Sequence, residues 1–250
     1  EHESDGDAGE LLRSTVGDVV SRGGKLLIPA FAVGRTQEIV YRLNRLWEGG
    51  ELPVIDVFVD SPLAVNATEV FRLHPECFDD EYVEMMITDS DQDPLCFKGL
   101  RYLRSSEESK KLNHRKEPAV IISASGMCEG GRILHHLRNH AVNPDSIVLF
   151  VSYQAEHTLG RRIREGRNPV SIYGEQYEIR ADIRKADGYS AHAGRSGLLR
   201  WASRTQAEGD VKRIFLVHGE QEGLSALARG LEDQGAADVQ IPERGQQFEL

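Results

Sequence analysis

Short apolar runs, each followed by a helical pattern of apolar residues, recur along this chain and restrict its fold more than any other feature. The apolar runs cover residues 25–31, 53–59, 119–124, 147–151 and 214–217. The helical patterns follow them at 39–47, 64–73, 133–140, 159–163 and 224–231. Repeated strand-then-helix units predict an α/β fold in which helices cover both faces of a mostly parallel sheet.

One segment has a different period. Apolar and charged residues alternate over 177–184, which is typical of a half-exposed strand, and this segment follows Gly166 and Pro169. We therefore place a domain boundary near residue 170. Residues 1–170 are expected to form one α/β domain. Residues 171–250 are too few for a large core of their own and are expected to complete a domain whose other part is missing.

Charge and cysteine content narrow the class of protein. The 40 acidic residues outnumber the 30 basic ones and give a net charge of −10, which argues against a protein that coats nucleic acid with its whole surface. A local basic groove stays possible. The three cysteines form no Cys-x-x-Cys pair, so neither a disulfide framework nor a cysteine zinc site is predicted.

The chain offers no sequence signal for a membrane. Its apolar runs are far shorter than the roughly 20 residues that span a bilayer, and its first residues are acidic and polar. We therefore expect a cytoplasmic protein without membrane partners.

Residues 123–132 form a glycine-rich junction between a predicted strand and a predicted helix. Gly126, Gly130 and Gly131 can expose backbone N–H groups, while Ser125 and Arg132 add side-chain donors. Such donors suit an anionic oxygen, so the junction is a candidate phosphate-binding loop. The alternative is a turn whose glycines are required by backbone geometry alone. The Gly-Lys-Ser/Thr ending of a Walker loop is absent from this sequence.

Four histidines are candidates for chemistry. His218 directly follows a predicted strand, and His192 lies among small residues, so each could act as acid, base or metal ligand. A hydrogen-bonded structural role is the alternative for both. His136 and His140 have the helical spacing of a zinc pair, but the neighbouring Arg138 disfavours a cation. Phosphate contact by His136 is the better functional interpretation, and an exposed helix face is the alternative.

Taken in order, several motifs resemble those of the β-CASP family, the nucleic-acid-processing branch of the metallo-β-lactamase fold. The family includes the nuclease subunit of the eukaryotic mRNA 3′-end cleavage factor and bacterial and archaeal RNases. The matching stretches are residues 23–38, 59–64, 124–127, 151–154, 189–192 and 217–220. Their order and spacing make the resemblance specific.

The resemblance implies a zinc-dependent ribonuclease of RNA processing or decay. A two-zinc site would activate a hydroxide for attack on a phosphodiester. His192 would be a catalytic residue, acting as general acid or transition-state stabiliser, and His218 a metal ligand of the kind seen in the RNA-directed members. The candidate RNA- or phosphate-binding residues are Arg35, Ser125, Gly126, Met127, Gly130, Gly131, Arg132 and His136.

The chain departs from the family where most zinc ligands should be. Nothing in it matches the family's His-x-His-x-Asp-His motif. We therefore expect residues 1–170 to be the β-CASP domain and 171–250 the returning part of the lactamase sandwich, with the N-terminal part absent and this chain alone inactive. Its partners would be RNA, the missing lactamase segment and, in a homodimer, a second copy. A non-catalytic RNA-binding or scaffold subunit is the alternative function, and a small-molecule hydrolase ranks last.

Overall fold

The computed structural model describes residues 5–88, 93–190, 192–236 and 238–249. In these ranges the α-helices are α1 (Asp5–Arg22), α2 (Arg35–Glu48), α3 (Pro62–Leu73), α4 (Asp80–Thr88), α5 (Ser106–Leu112), α6 (Ile133–His140), α7 (Leu159–Arg164), α8 (Arg195–Glu208) and α9 (Gln221–Asp233). The strands are β1 (Lys25–Pro29), β2 (Asp56–Val59), β3 (Leu100–Tyr102), β4 (Ala119–Ser123), β5 (Ile147–Phe150), β6 (Val170–Ile172), β7 (Glu175–Tyr177), β8 (Asp182–Lys185), β9 (Ile214–Phe215) and β10 (Val239–Gln240).

Six strands form one parallel sheet in the order β3-β2-β4-β1-β5-β8. In its centre, β1 pairs with β4 from Lys25 opposite Ala119 to Pro29 opposite Ser123, and with β5 on its other side. The carboxyl ends of β1, β2, β4 and β5 therefore lie along one edge. The predicted parallel α/β sheet is confirmed.

The sheet is apolar on both faces because helices cover both. Along β1, Leu26 and Ile28 belong to one core and Leu27 to the other, as expected for side chains that alternate between faces. Ile39 of α2 packs in the first core, and Ile133 of α6 packs in the second. These continuous buried runs explain why the central strands are so visible in the sequence.

The predicted strand over 177–184 is wrong in its extent, since the structure has two separate strands, β7 and β8. Between these two strands the backbone forms hydrogen bonds with residues outside the sheet. Asn168 exchanges two hydrogen bonds of 2.9 Å with the backbone of Ile179, and the N–H groups of Arg180 and Ala181 donate to the carbonyl of Ala141. These bonds replace a strand ladder, although the residues alternate in polarity.

The chain divides into two compact units, and the first extends through Ser190. Its last strand, β8, pairs in parallel with β5, from Asp182 opposite Ile147 to Lys185 opposite Phe150. The sequence places the boundary some residues earlier, near 170, and that domain assignment stays a prediction. No helix among the described residues is long and apolar enough to cross a bilayer.

The second unit, from residue 191 onward, contains α8, α9 and the parallel pair β9–β10. Its small core consists of Leu199, Ala202, Leu216 and Leu231. The predicted strand over 214–217 is shorter in the structure, where β9 ends at Phe215.

Candidate functional site

Asp60 organises the carboxyl edge of the large sheet. It follows β2 directly and is fully buried. Its carboxylate accepts hydrogen bonds from Ser109 Oγ at 2.5 Å, Arg132 Nη1 at 2.7 Å and His136 Nε2 at 2.7 Å. Its backbone is fixed as well, since its carbonyl accepts from Ser123 Oγ at 2.8 Å. One buried carboxylate thus ties together β2, α5, α6 and the glycine-rich loop.

The protonation of Asp60 follows from these contacts. Burial raises the pKa of its carboxyl, but the hydrogen bonds from His136, Ser109 and Arg132 outweigh burial and hold the pKa below the usual range. The group is therefore ionised near neutral pH, so that the donors around it bond to a charged acceptor.

The structure places Arg132 and His136 differently from the sequence expectation of phosphate contact. Arg132 directs its guanidinium to Asp60 and to the carbonyls of Leu103 and Arg104. His136 has no exposed side-chain surface, so in this conformation it cannot touch a phosphate. Both residues bind Asp60 instead.

The suggested pairing of His136 with His140 does not form a metal site in the structure. Nε2 of His136 is held by Asp60, and the rings of the two histidines lie 6.2 Å apart. Burial lowers the pKa of His140 to about 4, which keeps its imidazole neutral. Among the described residues no three His, Cys, Asp or Glu side chains converge on a common point.

The glycine-rich loop between β4 and α6 is tightly folded on itself. The N–H of Ser125 donates to the carbonyl of Gly130, and Ser125 Oγ accepts from the N–H of Glu129 at 3.1 Å. Gly131 has φ of +77°, and a Cβ there would lie 2.3 Å from the carbonyl oxygen of Ala124. Its glycine is therefore required by geometry, which was the alternative left open by the sequence.

Gly126 is one of the buried residues of this loop. Gln154, itself fully buried, donates to the Gly126 carbonyl at 2.9 Å, and a Cβ on Gly126 would lie 3.1 Å from the ring of Phe31. The parts of the loop with accessible surface include Ser125, Met127, Gly130 and Gly131. An anion could reach those residues, and the exposed Glu129 lies among them with its carboxylate accepting from the N–H of Leu159 at 2.5 Å.

The loop after β1 is fixed by the first turn of α2. Thr36 donates to the Phe31 carbonyl through its N–H at 3.2 Å and its hydroxyl at 2.8 Å. Gln37 donates to the Ala32 carbonyl at 3.2 Å. Arg35, a candidate phosphate ligand, is mostly covered and its guanidinium pairs with Glu38.

The two candidate catalytic histidines lie in the second compact unit. His218 is exposed, three residues after the end of β9, and has φ of +62°. A non-glycine residue in that region is uncommon and is often found at functional sites. His192 is also exposed, just before α8; its neighbour Ala191 lies outside the described residues.

Comparison with known families shows which family this chain belongs to. The family described as the Beta-Casp domain matches residues 36–163, just over half of the chain. This chain belongs to the β-CASP family. A second family, described as the Zn-dependent metallo-hydrolase RNA specificity domain, matches residues 176–242. Both candidate histidines of this β-CASP chain fall within that second segment, and the predicted boundary near 170 falls between the two.

Curated relatives agree with this family. Ribonuclease TTHA0252 of Thermus thermophilus is 37% identical over 226 residues, which are 90% of this chain and 49% of that protein. Transcription termination factor FttA of Methanosarcina mazei is 31% identical over 89% of this chain and 35% of its own length. The Pyrococcus horikoshii FttA is 29% identical over 94% of this chain and 36% of its length. The β-CASP chain therefore spans half or less of these relatives.

The sequence missed Asp60 and Gln154 as organising residues of this β-CASP chain. Both stand in motifs that the resemblance uses, since Asp60 lies within 59–64 and Gln154 within 151–154. An acidic residue directly after an apolar strand, or an amide shortly after one, is a signal in itself, because buried polar groups need partners.

Proposed function

We propose that the complete protein is a zinc-dependent ribonuclease that hydrolyses phosphodiester bonds in RNA processing or decay. This chain would supply the β-CASP domain and the returning part of the lactamase domain. The observation that carries the proposal is that the family match places His192 and His218 within an RNA specificity segment, where both side chains are exposed.

His218 is proposed as the zinc ligand of this chain. A neutral imidazole is a good zinc donor, and the left-handed backbone at His218 turns the chain sharply after a strand. One imidazole does not hold zinc, and the described residues bring no further ligands together. When bound, the metal would supply a nucleophilic hydroxide; the remaining ligands would have to come from outside the described residues.

His192 is proposed as the general acid. An exposed imidazole just before a helix can reach a substrate without rearrangement of a core. In its protonated form it would donate a proton to the leaving ribose oxygen as the P–O bond breaks. Such a proton donor typically contributes about 10²- to 10⁴-fold to the rate.

RNA contact is proposed for the accessible part of the glycine-rich loop, through Ser125, Met127, Gly130 and Gly131. The buried Gly126 and His136, together with Arg132, would hold that loop in place rather than touch the phosphate. The proposed set of RNA-contacting residues is therefore smaller than the set predicted from the sequence. Arg35 stays a candidate, although Glu38 would have to release it.

The test joins this chain to the unmatched half of Ribonuclease TTHA0252 and measures cleavage of a labelled single-stranded RNA with and without a zinc chelator. His192→Ala should lower kcat at least about 100-fold while RNA affinity is retained. His218→Ala should lower the zinc content of the fusion. His74→Ala changes an exposed histidine that pairs with Glu76 in the first unit and should leave both unchanged.

The isolated 250-residue chain is the second part of the test. It should bind RNA, retain substoichiometric zinc and cut nothing. Robust zinc-dependent cleavage by this chain alone would contradict the proposed division of ligands. Cleavage by the fusion that is unaffected by His192→Ala would remove His192 from the mechanism, and RNA binding by a fusion that never cuts would favour the scaffold function.

A further inference from the structure

Phe31 is an exposed aromatic residue in an otherwise buried part of the chain. It follows β1 at the carboxyl edge, and 42% of its surface is exposed, whereas Ala30 and Ala32 on either side are buried. Val33, two residues further on, is 62% exposed. An apolar ring gains nothing in stability from standing in water, so a ligand that covers this ring would remove apolar surface from water.

The backbone that carries this ring is rigidly held. Ala30 donates to the carbonyl of Ser123 at 3.1 Å, and the carbonyl of Phe31 accepts both the N–H and the hydroxyl of Thr36. Gln37 then fixes the next carbonyl, that of Ala32. A ligand that packs on the ring would therefore find it already in position, and little entropy would be lost on binding.

The ring lies directly beside the glycine-rich loop. A Cβ at Gly126 would meet Cδ2 and Cε2 of Phe31 at 3.1 and 3.2 Å, so the loop backbone lies against this edge of the ring and a side chain at position 126 would crowd it. The neighbouring Ser125 and Met127 retain accessible surface. A nucleotide whose phosphate meets the loop would thus have an aromatic surface within reach of its base.

The pairing of charges at this edge favours such a contact. The guanidinium groups of Arg35, Arg132 and Arg161 are paired with Glu38, Asp60 and Glu165 respectively, and the whole chain carries −10. Attraction to phosphates through unpaired cations is the usual source of non-specific affinity, and here much of it is offset. Stacking of bases on aromatic rings is the other main source of affinity for single strands.

We infer that Phe31 is a stacking surface for a base of single-stranded RNA whose backbone contacts the glycine-rich loop. This inference rests on the proposed RNA contact of that loop. It adds a requirement that the proposed function does not contain: the bases, and not only the phosphates, contribute to binding through one named ring.

The experiment measures affinity of the 250-residue chain by fluorescence anisotropy for two labelled oligomers of about ten nucleotides. One is a single-stranded RNA and the other is an abasic ribose-phosphate chain of equal length. The wild-type chain should bind the RNA roughly 5- to 100-fold more tightly than the abasic oligomer. Phe31→Leu should remove most of that difference, and Phe31→Tyr should keep it because the ring remains.

Tyr173→Leu is the matched control, since Tyr173 is another exposed aromatic residue of the first unit, in the turn between β6 and β7. It should leave the ratio unchanged. Circular dichroism of each variant checks folding. If Phe31→Leu keeps the full preference for bases, or Tyr173→Leu loses as much, the stacking role of Phe31 is wrong while RNA binding stands. If the wild-type chain binds neither oligomer, the proposed RNA contact fails and the inference fails with it.

Discussion

Replacing Asp60 with asparagine removes the one charge that Ser109, Arg132 and His136 share, while the volume of the side chain is preserved. The site is fully buried, and the three donors lie within 2.7 Å of its oxygens. Breaking a buried ion pair by removing one partner costs about 3–5 kcal/mol. Arg132 retains 19% side-chain exposure and can be partly hydrated. We therefore expect Asp60→Asn to lower the free energy of unfolding by an amount near the lower end of this range, about 3 kcal/mol.

The assay is urea unfolding followed by tryptophan fluorescence in a Trp201→Phe background. Trp201 is exposed on α8, so its removal leaves Trp47, which packs against Phe97 and the first core, as the reporter of the first unit. Asp56→Asn is the control. It removes the carboxylate of Asp56 in β2, the strand that Asp60 follows; this carboxylate also pairs with an arginine at 2.7 Å, but both partners are about a quarter exposed. We expect Asp56→Asn to lower the free energy of unfolding by about 1 kcal/mol.

The pH dependence of the urea midpoint of unfolding is a second measurement. The pKa of Asp60 is lower in the folded chain than in the unfolded chain, so its ionisation stabilises the fold above the unfolded pKa. That contribution is lost as the pH falls through the folded pKa. Asp60→Asn should therefore lack this part of the acid sensitivity. Equal losses for Asp56→Asn and Asp60→Asn, or an unchanged acid profile, would refute the central role given to Asp60.

Two further predictions concern the glycine-rich loop. Gly131→Ala should lower the free energy of unfolding by about 1–3 kcal/mol, because it combines a φ of +77° with a clash against the Ala124 carbonyl. Gly17→Ala is the control, because Gly17 lies in the middle of α1 and a Cβ there would have nothing within 4 Å. This change should raise the free energy of unfolding by up to about 1 kcal/mol. Cys128 should resist a thiol reagent in the native chain, because it is buried and burial raises the pKa of its thiol, whereas the exposed Cys77 should react at once; equal labelling of both would contradict the loop conformation.

The sequence predicted the centre of the fold because the centre is made of local signals. Strands β1, β4 and β5 are buried on both faces, so their residues are apolar apart from Lys25 at the start of β1 and Ser123 at the end of β4. Strand β3 was missed because it has only three residues, none of them buried. The alternation over 177–184 misled because its middle bonds to Asn168 and Ala141, which no local pattern reveals.

The sequence indicated which edge of the sheet carries the candidate residues, but not the hydrogen bonds that those residues form. The motifs at the strand ends identified the edge where Ser125 and Arg132 lie. They did not show that Arg132 and His136 bind Asp60, because those pairs join residues 72 and 76 positions apart. Contacts of that separation depend on strand order, and strand order cannot be read from apolar periodicity.

The central position of β1 also has a consequence for synthesis. Its two neighbours in the sheet come from much later in the chain, since Lys25 pairs with Ala119 and Leu26 with Ile147. As the chain leaves the ribosome, this mostly apolar strand therefore waits for more than ninety further residues before either edge can be paired. An unpaired strand of that kind is prone to aggregation. Productive expression should thus depend on chaperones that hold the nascent chain until β4 has emerged.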